Sequence, residues 1–241
     1  MTTAHAVVDS HIPFWDTDRF DYPWLQGFTE LNRPFVPADL DVGDVLIESL
    51  IFVQANPVWE AVDGETAWVQ DLRGRDARIQ GLVVGVPLGR GAAAVNGSLQ
   101  RLSHEPDVAG VRQLIQDENE GFALRPQFVD AAQLAGQFGL TVDLFVRNHQ
   151  IAEVTKLAEL CSDGTFVLNH LGRPHVAAGQ WTGWLHDIKA MAHLDNVRCK
   201  LSGLINPTGN RRLLMRRASG DGLGCAFSSG LAAALTRGPH R

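Results

Sequence analysis

The chain has 241 residues, 45% hydrophobic and 20% charged, with a formal net charge of −6. That length suits one large α/β domain or two small ones with a continuous core, and the acid excess gives no electrostatic case for nucleic acid or an anionic membrane as partner. No apolar run reaches the roughly 18 residues a membrane span needs. The N-terminus lacks a basic stretch followed by an apolar one, so no secretory signal is expected. Cys161, Cys199 and Cys225 form no CxxC pair, which argues against a structural zinc knuckle and for a reducing, cytoplasmic setting.

In chain order, apolar runs predict strands at 7–14, 45–54, 79–88, 109–115, 141–146, 165–170 and 197–204. Their near-continuous Val, Ile, Leu and Phe content suits parallel strands covered on both faces. The segments between them read as helices, and three stand out. "PQFVDAAQLAGQFG" puts Phe128, Ala131, Ala132, Ala135 and Phe138 near one face, with Gly139 as a stop. "IAEVTKLAELCSDG" repeats the pattern with Ile151, Val154, Leu157, Ala158 and Cys161, and "WTGWLHDIKAMAHL" adds Trp181, Trp184, Leu185, Ile188 and Met191.

Strand–helix alternation of this kind predicts either a β/α barrel or a doubly wound sheet. No GxGxxG or GxxxxGK[ST] stretch occurs, so a nucleotide-binding sheet lacks its phosphate loops. The barrel is the expectation, α/β in class and incomplete, with about seven strands. Polar residues then gather where strands end: His11, Gln54, Asn56, Arg112, Arg147, His149, Asn169, His170 and Ser202. In barrels the C-terminal strand ends form the active site.

The chain changes character near residue 209. Residues 210–241 hold six arginines and a single acid, Asp221, for a net charge of +5 that leaves −11 on the residues before them. No eighth strand is visible there. Two readings stand: a poorly ordered basic tail, or a stretch read out of its original frame. The expected organisation is a barrel domain over 1–209 followed by that tail.

The motifs "VVDSHIPFWD", "IFVQANP", "VAGVRQLIQDENEGFALRPQF", "GLTVDLFVRNHQIAEVTKLAE", "FVLNHLGRP" and "NVRCKLSGL" occur in that order. With them the chain resembles the amidohydrolases of the amidohydrolase-2 type, the branch that includes sugar-acid lactonases and 2-pyrone-4,6-dicarboxylate lactonase. The resemblance covers roughly residues 7 to 205. It implies a (β/α)8 TIM barrel that lacks its last strand–helix unit here, a metal-dependent hydrolase by descent, and a small-molecule substrate such as a lactone or sugar-acid derivative. A divalent metal such as Zn serves some relatives, and the pyrone lactonase type works without one.

By that resemblance His11 and His170 are the catalytic pair, and the metal ligands if a metal is retained. Pro13 stands where a second histidine of His-x-His is usual, Asn169 where an acid is common, and no "GSDWP"-like stretch supplies the usual barrel aspartate. Lactone hydrolysis needs an activated water and a polarised carbonyl. Two histidines are fewer than the three protein ligands usual for catalytic zinc, so these departures imply a feeble or inactive enzyme. The alternative is a non-catalytic truncated barrel that binds a ligand weakly.

Four more residues are candidate substrate contacts. Arg112 and Arg147 could clamp a carboxylate with a bidentate guanidinium fork. Gln54, with Asn56 beside it, could hydrogen-bond a sugar-like substrate, and His149 could join them or simply start a helix. Trp15, Tyr22 and Trp24 read equally as a pocket wall or as core.

Overall fold

A computed structural model describes residues 6–40, 46–174 and 181–202. Seven strands, β1 (Ala6–Ile12), β2 (Leu46–Val53), β3 (Ile79–Gly85), β4 (Val108–Leu114), β5 (Thr141–Phe145), β6 (Phe166–Leu168) and β7 (Val197–Cys199), lie side by side in chain order. Every neighbouring pair is parallel. Five helices fill the returns from β2 onward: α1 (Val62–Arg75), α2 (Ala92–Ser103), α3 (Pro126–Gln137), α4 (Ile151–Leu160) and α5 (Trp181–Met191). The sheet curls into part of a TIM barrel, and among the described residues no ladder joins β1 to β7.

Apolar runs explain the curl and the core. In β3 every residue but Gln80 is buried, as a strand covered on both faces requires. Phe52, Leu82, Val111, Leu144 and Phe166 belong to one continuous core with Phe128, Ala132, Val154 and Leu157 from the helices. Gly110 is obligatory in β4: a Cβ there would sit 2.7 Å from the Thr141 carbonyl oxygen and closer still to its hydroxyl. Gly139 takes φ +75° just beyond α3, the left-handed stop its position predicts.

Three strands in particular, β3, β6 and β7, end before their apolar runs do, and β7 stops already at Cys199. Strand β3 ends at Gly85: the Val86 amide makes the last bond to β4, at the Arg112 carbonyl, and Pro87 has no N–H to carry the ladder on before the Leu88 amide turns back to the Val86 carbonyl. Strand β6 ends at Leu168, because the chain enters a left-handed turn at His170. Residues 13–40 form no α-helix; their Trp15, Tyr22 and Leu25 make a second, small cluster with Ala55 from the corner after β2. No helix of the described residues is long and apolar enough to cross a membrane. The basic tail, with Asp221 and Cys225, lies outside the described residues.

Candidate active site

The site begins with a bulge. Asp9 pairs with Leu50, but Ile12 pairs with Phe52, so β1 carries one residue more than β2 across this stretch. Such an insertion bends a strand and re-aims a side chain. Here the Asp9 carboxylate accepts the His11 N–H at 2.9 Å, and the His11 ring lies 4.4 Å from that of His170.

His170 comes from a more strained segment. His170, Leu171, Gly172 and Arg173 all have φ between 53° and 66°. For residues other than glycine that region costs of order 1–3 kcal/mol each and persists only where surroundings enforce it. They do so here. The Trp184 indole donates to the Leu171 carbonyl at 2.7 Å, and the Leu171 N–H donates to the Lys200 carbonyl at 3.2 Å. The His170 ring meets Ser202 Oγ through Nδ1 at 2.8 Å and stands edge-on to Phe145.

A polar chain continues across the mouth below the two rings. Lys200 Nζ donates to Asp143 Oδ2 at 2.6 Å and stands 3.5 Å from His11 Nδ1. Asn169 Nδ2 donates to the same Asp143 oxygen at 2.8 Å, and Arg112 Nη1 donates to Asn169 Oδ1 at 3.4 Å. Arg112 Nη2 donates to the Gln54 carbonyl. All of Gln54, Arg112, Asp143, Asn169 and Lys200 are buried. Three atoms of this chain, Gln54 Nε2, Arg112 Nε and Asp143 Oδ1, have no hydrogen-bond partner among the described residues. Buried polar atoms of that kind concentrate where ligands or ordered waters bind.

Burial and neighbouring cations set the protonation states. Desolvation, followed by Lys200, Arg112 and His170, holds the His11 imidazole far below its ordinary range. Desolvation and then Arg112, Arg173 and Lys200 bring His170 down to about 4. Both rings are therefore neutral near pH 7. Burial lowers Arg112 to about 10, opposed by Asp143 and Glu65, so it remains a cation. Burial also lowers Lys200, and Asp143 opposes it. Beside the network, Glu65 of α1 accepts the Tyr22 hydroxyl at 3.1 Å and the Ala55 N–H at 3.2 Å. Burial pushes its carboxyl up to about 7.

Of the residues expected from sequence, His11, His170, Arg112 and Gln54 share this mouth, with Asn169 and Ser202. Arg147 and His149 stand apart. The Arg147 fork goes to Asp117 Oδ1 at 2.5 Å and the Gln116 carbonyl at 2.9 Å, with its side chain 45% exposed. His149 is exposed. Trp15 and Tyr22 are core residues of the small cluster, and Trp24 donates its indole N–H to the Ala55 carbonyl. Burial raises the Cys161 thiol to about 11 and Cys199 to about 12, which leaves both as unreactive small side chains. Asp143, Lys200 and Glu65 were not foreseen. Asp143 is a lone acid within an apolar strand, and that was the one available signal.

The donor set does not fit a divalent metal. Two imidazoles are available, and the adjacent carboxylate is held by Lys200 and Asn169. Among the described residues no group of three His, Cys, Asp or Glu is placed to hold a metal ion.

A curled parallel sheet that gathers buried polar residues toward its C-terminal strand ends has them where barrel enzymes carry their active sites. The amidohydrolase family model matches residues 8–218, and the chain belongs to that family. It is 29% identical to an L-fucono-1,5-lactonase of Burkholderia multivorans, over 85% of this chain and 70% of the relative. The corresponding figures for an L-fucono-1,5-lactonase of Burkholderia ambifaria are 25%, 87% and 71%. A crystal structure of a Burkholderia multivorans amidohydrolase with bound zinc superposes with a TM-score of 0.72 at 26% identity, covering 88% of this chain and 76% of that one.

Proposed function

We propose that the chain hydrolyses a lactone, of the sugar-acid kind or a related small carbonyl compound, by attack of water. The observation that carries this is the buried chain Gln54–Arg112–Asn169–Asp143–Lys200–His11, which sets two cations and two neutral imidazoles at one barrel mouth. The lactonase relatives support the substrate class. The cysteine usage supports a cytoplasmic setting.

Each group has a task. His11 Nδ1 faces the Lys200 ammonium, which can only donate. The ring proton therefore belongs on Nε2, which can donate a hydrogen bond to the substrate carbonyl oxygen and to the oxyanion that forms from it. Arg112 and Lys200 supply the fixed positive field that an oxyanion needs as it develops. His170, neutral and held by Ser202, takes the proton from the attacking water and returns it to the ring oxygen as the tetrahedral adduct collapses and the lactone C–O bond breaks. A base whose conjugate acid sits near 4 accepts that proton with little driving force, so turnover is slow.

A proton-release assay on a panel of five- and six-membered sugar-acid lactones, L-fucono-1,5-lactone among them, tests this reading. The expected result is a rate above the buffer blank, with kcat below the ordinary range of about 1–10³ s⁻¹. Rates equal to the blank across the panel would instead mark a non-catalytic barrel that only binds its ligand.

A further inference from the structure

We infer that Lys200 is the resident cation of this site and keeps a divalent metal out of it. Its ammonium touches the two kinds of atom a zinc or manganese ion would seek, a carboxylate oxygen of Asp143 at 2.6 Å and an imidazole nitrogen of His11 at 3.5 Å. An ammonium has protons and no lone pair, so it points its donors at atoms that a metal would claim as its own. Asp143 Oδ2 also holds Asn169 at 2.8 Å.

Lys200 is fixed in this position. Its N–H donates to the Leu168 carbonyl at 2.9 Å and its carbonyl accepts from Leu171 at 3.2 Å, so the strained turn and the end of β6 grip it from both sides. Its side chain is 9% exposed and that of Asp143 is 1% exposed. Arg112 forms a second cation on the far side of Asn169. An arriving dication would meet two fixed positive charges around one carboxylate, with no imidazole at Pro13 to add a ligand.

Cobalt(II) absorption and zinc calorimetry on the full chain after treatment with chelator test the inference without reference to activity. The wild type should take up no metal in a His11-dependent manner. Lys200→Ala, which frees both donor atoms, should bind one equivalent of cobalt(II) at least about tenfold more tightly than the wild type. Adding His11→Ala should abolish that binding, and Lys200→Arg, which keeps the charge, should bind none. Should Lys200→Ala not fold alone, zinc added during refolding should rescue it, because the ion replaces the ammonium beside Asp143. One equivalent of cobalt on the wild type, lost in His11→Ala, would overturn the inference. So would a folded Lys200→Ala that binds no metal, or an unfolded one that zinc fails to rescue.

Discussion

Glu65 shows how a single buried residue can shape both loop and pH response. Its carboxyl, 1% exposed, ties the Tyr22 loop to the corner after β2. Burial raises it from about 4.5 to about 7, against the opposing hydrogen bonds of Ala55 and Tyr22 and the charge of Arg112. The folded chain therefore keeps a proton that the unfolded chain releases between those two values. Its contribution to stability is full below about pH 4.5 and fades as pH rises through about 7. Glu65→Gln cannot ionise and lacks that slope. Relative to the wild type it should gain stability, by roughly 3 kcal/mol, between about pH 4.5 and pH 8. Urea unfolding at both ends of that range measures the difference, and parallel behaviour would refute it. At Pro13 we expect the opposite of a rescue. Pro13→His alone should leave lactone turnover within about tenfold of the wild type, because Lys200 still holds His11 and Asp143; a rise beyond that would show that the missing imidazole was the sole defect.

Legibility at this scale followed the surroundings of each residue. His11 and His170 could be named because each falls in an apolar strand run and in a motif that carries the family resemblance. Glu65 could not, since α1 ("VDGETAWVQDLRGR") buries Glu65 and Thr66 on the face where apolar residues would have announced the helix. Lys200 sits in "RCKLSG" between Arg198 and Ser202 and reads as surface; only the pairing of β6 with β7 carries it to Asp143. Arg147 and Arg112 look alike in sequence, each at the end of a strand. Arg112 in fact lies within β4, opposite Asp143, whereas Arg147 lies two residues beyond β5, where the chain has left the sheet and its side chain reaches Asp117.

At the scale of elements, β4 and β5 carry the site, because Arg112 and Asp143 are direct partners in their ladder. The close approach of these strands depends on Gly110 lying against Thr141. Gly110→Ala should destabilise the fold by the upper part of the about 1–3 kcal/mol typical of overpacking, because the atoms met include backbone that cannot move aside. Thermal melting of the variant checks this; an unchanged melting temperature would show that the two strands have slack. The left-handed turn over residues 170–173 was not legible, since "NHLGRP" offers one glycine while four residues take positive φ. Tertiary contacts from Trp184 and Lys200 impose that turn, and no local propensity announces it.

For the molecule as a whole, the seven-strand order could be read from parallel-type apolar runs. The lack of a β1–β7 ladder among the described residues accords with the absence of an eighth apolar run in the sequence. At those two edges Val7, Val8 and Leu201 remain exposed, at 39%, 42% and 62%. Yet the two edges come together at the mouth, where His11 of β1 reaches Lys200 just past β7. A site assembled in this way needs no backbone pairing between β1 and β7. On the proposed function, this buried network carries lactone hydrolysis and Arg147, at the surface beside it, does not. The most direct test compares wild type, His11→Ala and Arg147→Ala on whichever lactone the panel shows to be turned over. His11→Ala should lose at least about 10²-fold in kcat, the scale of a removed oxyanion hydrogen-bond donor, while Arg147→Ala stays within about twofold, as a residue outside the reacting geometry should. Equal losses in both variants, or a His11→Ala rate indistinguishable from the wild type, would contradict the account.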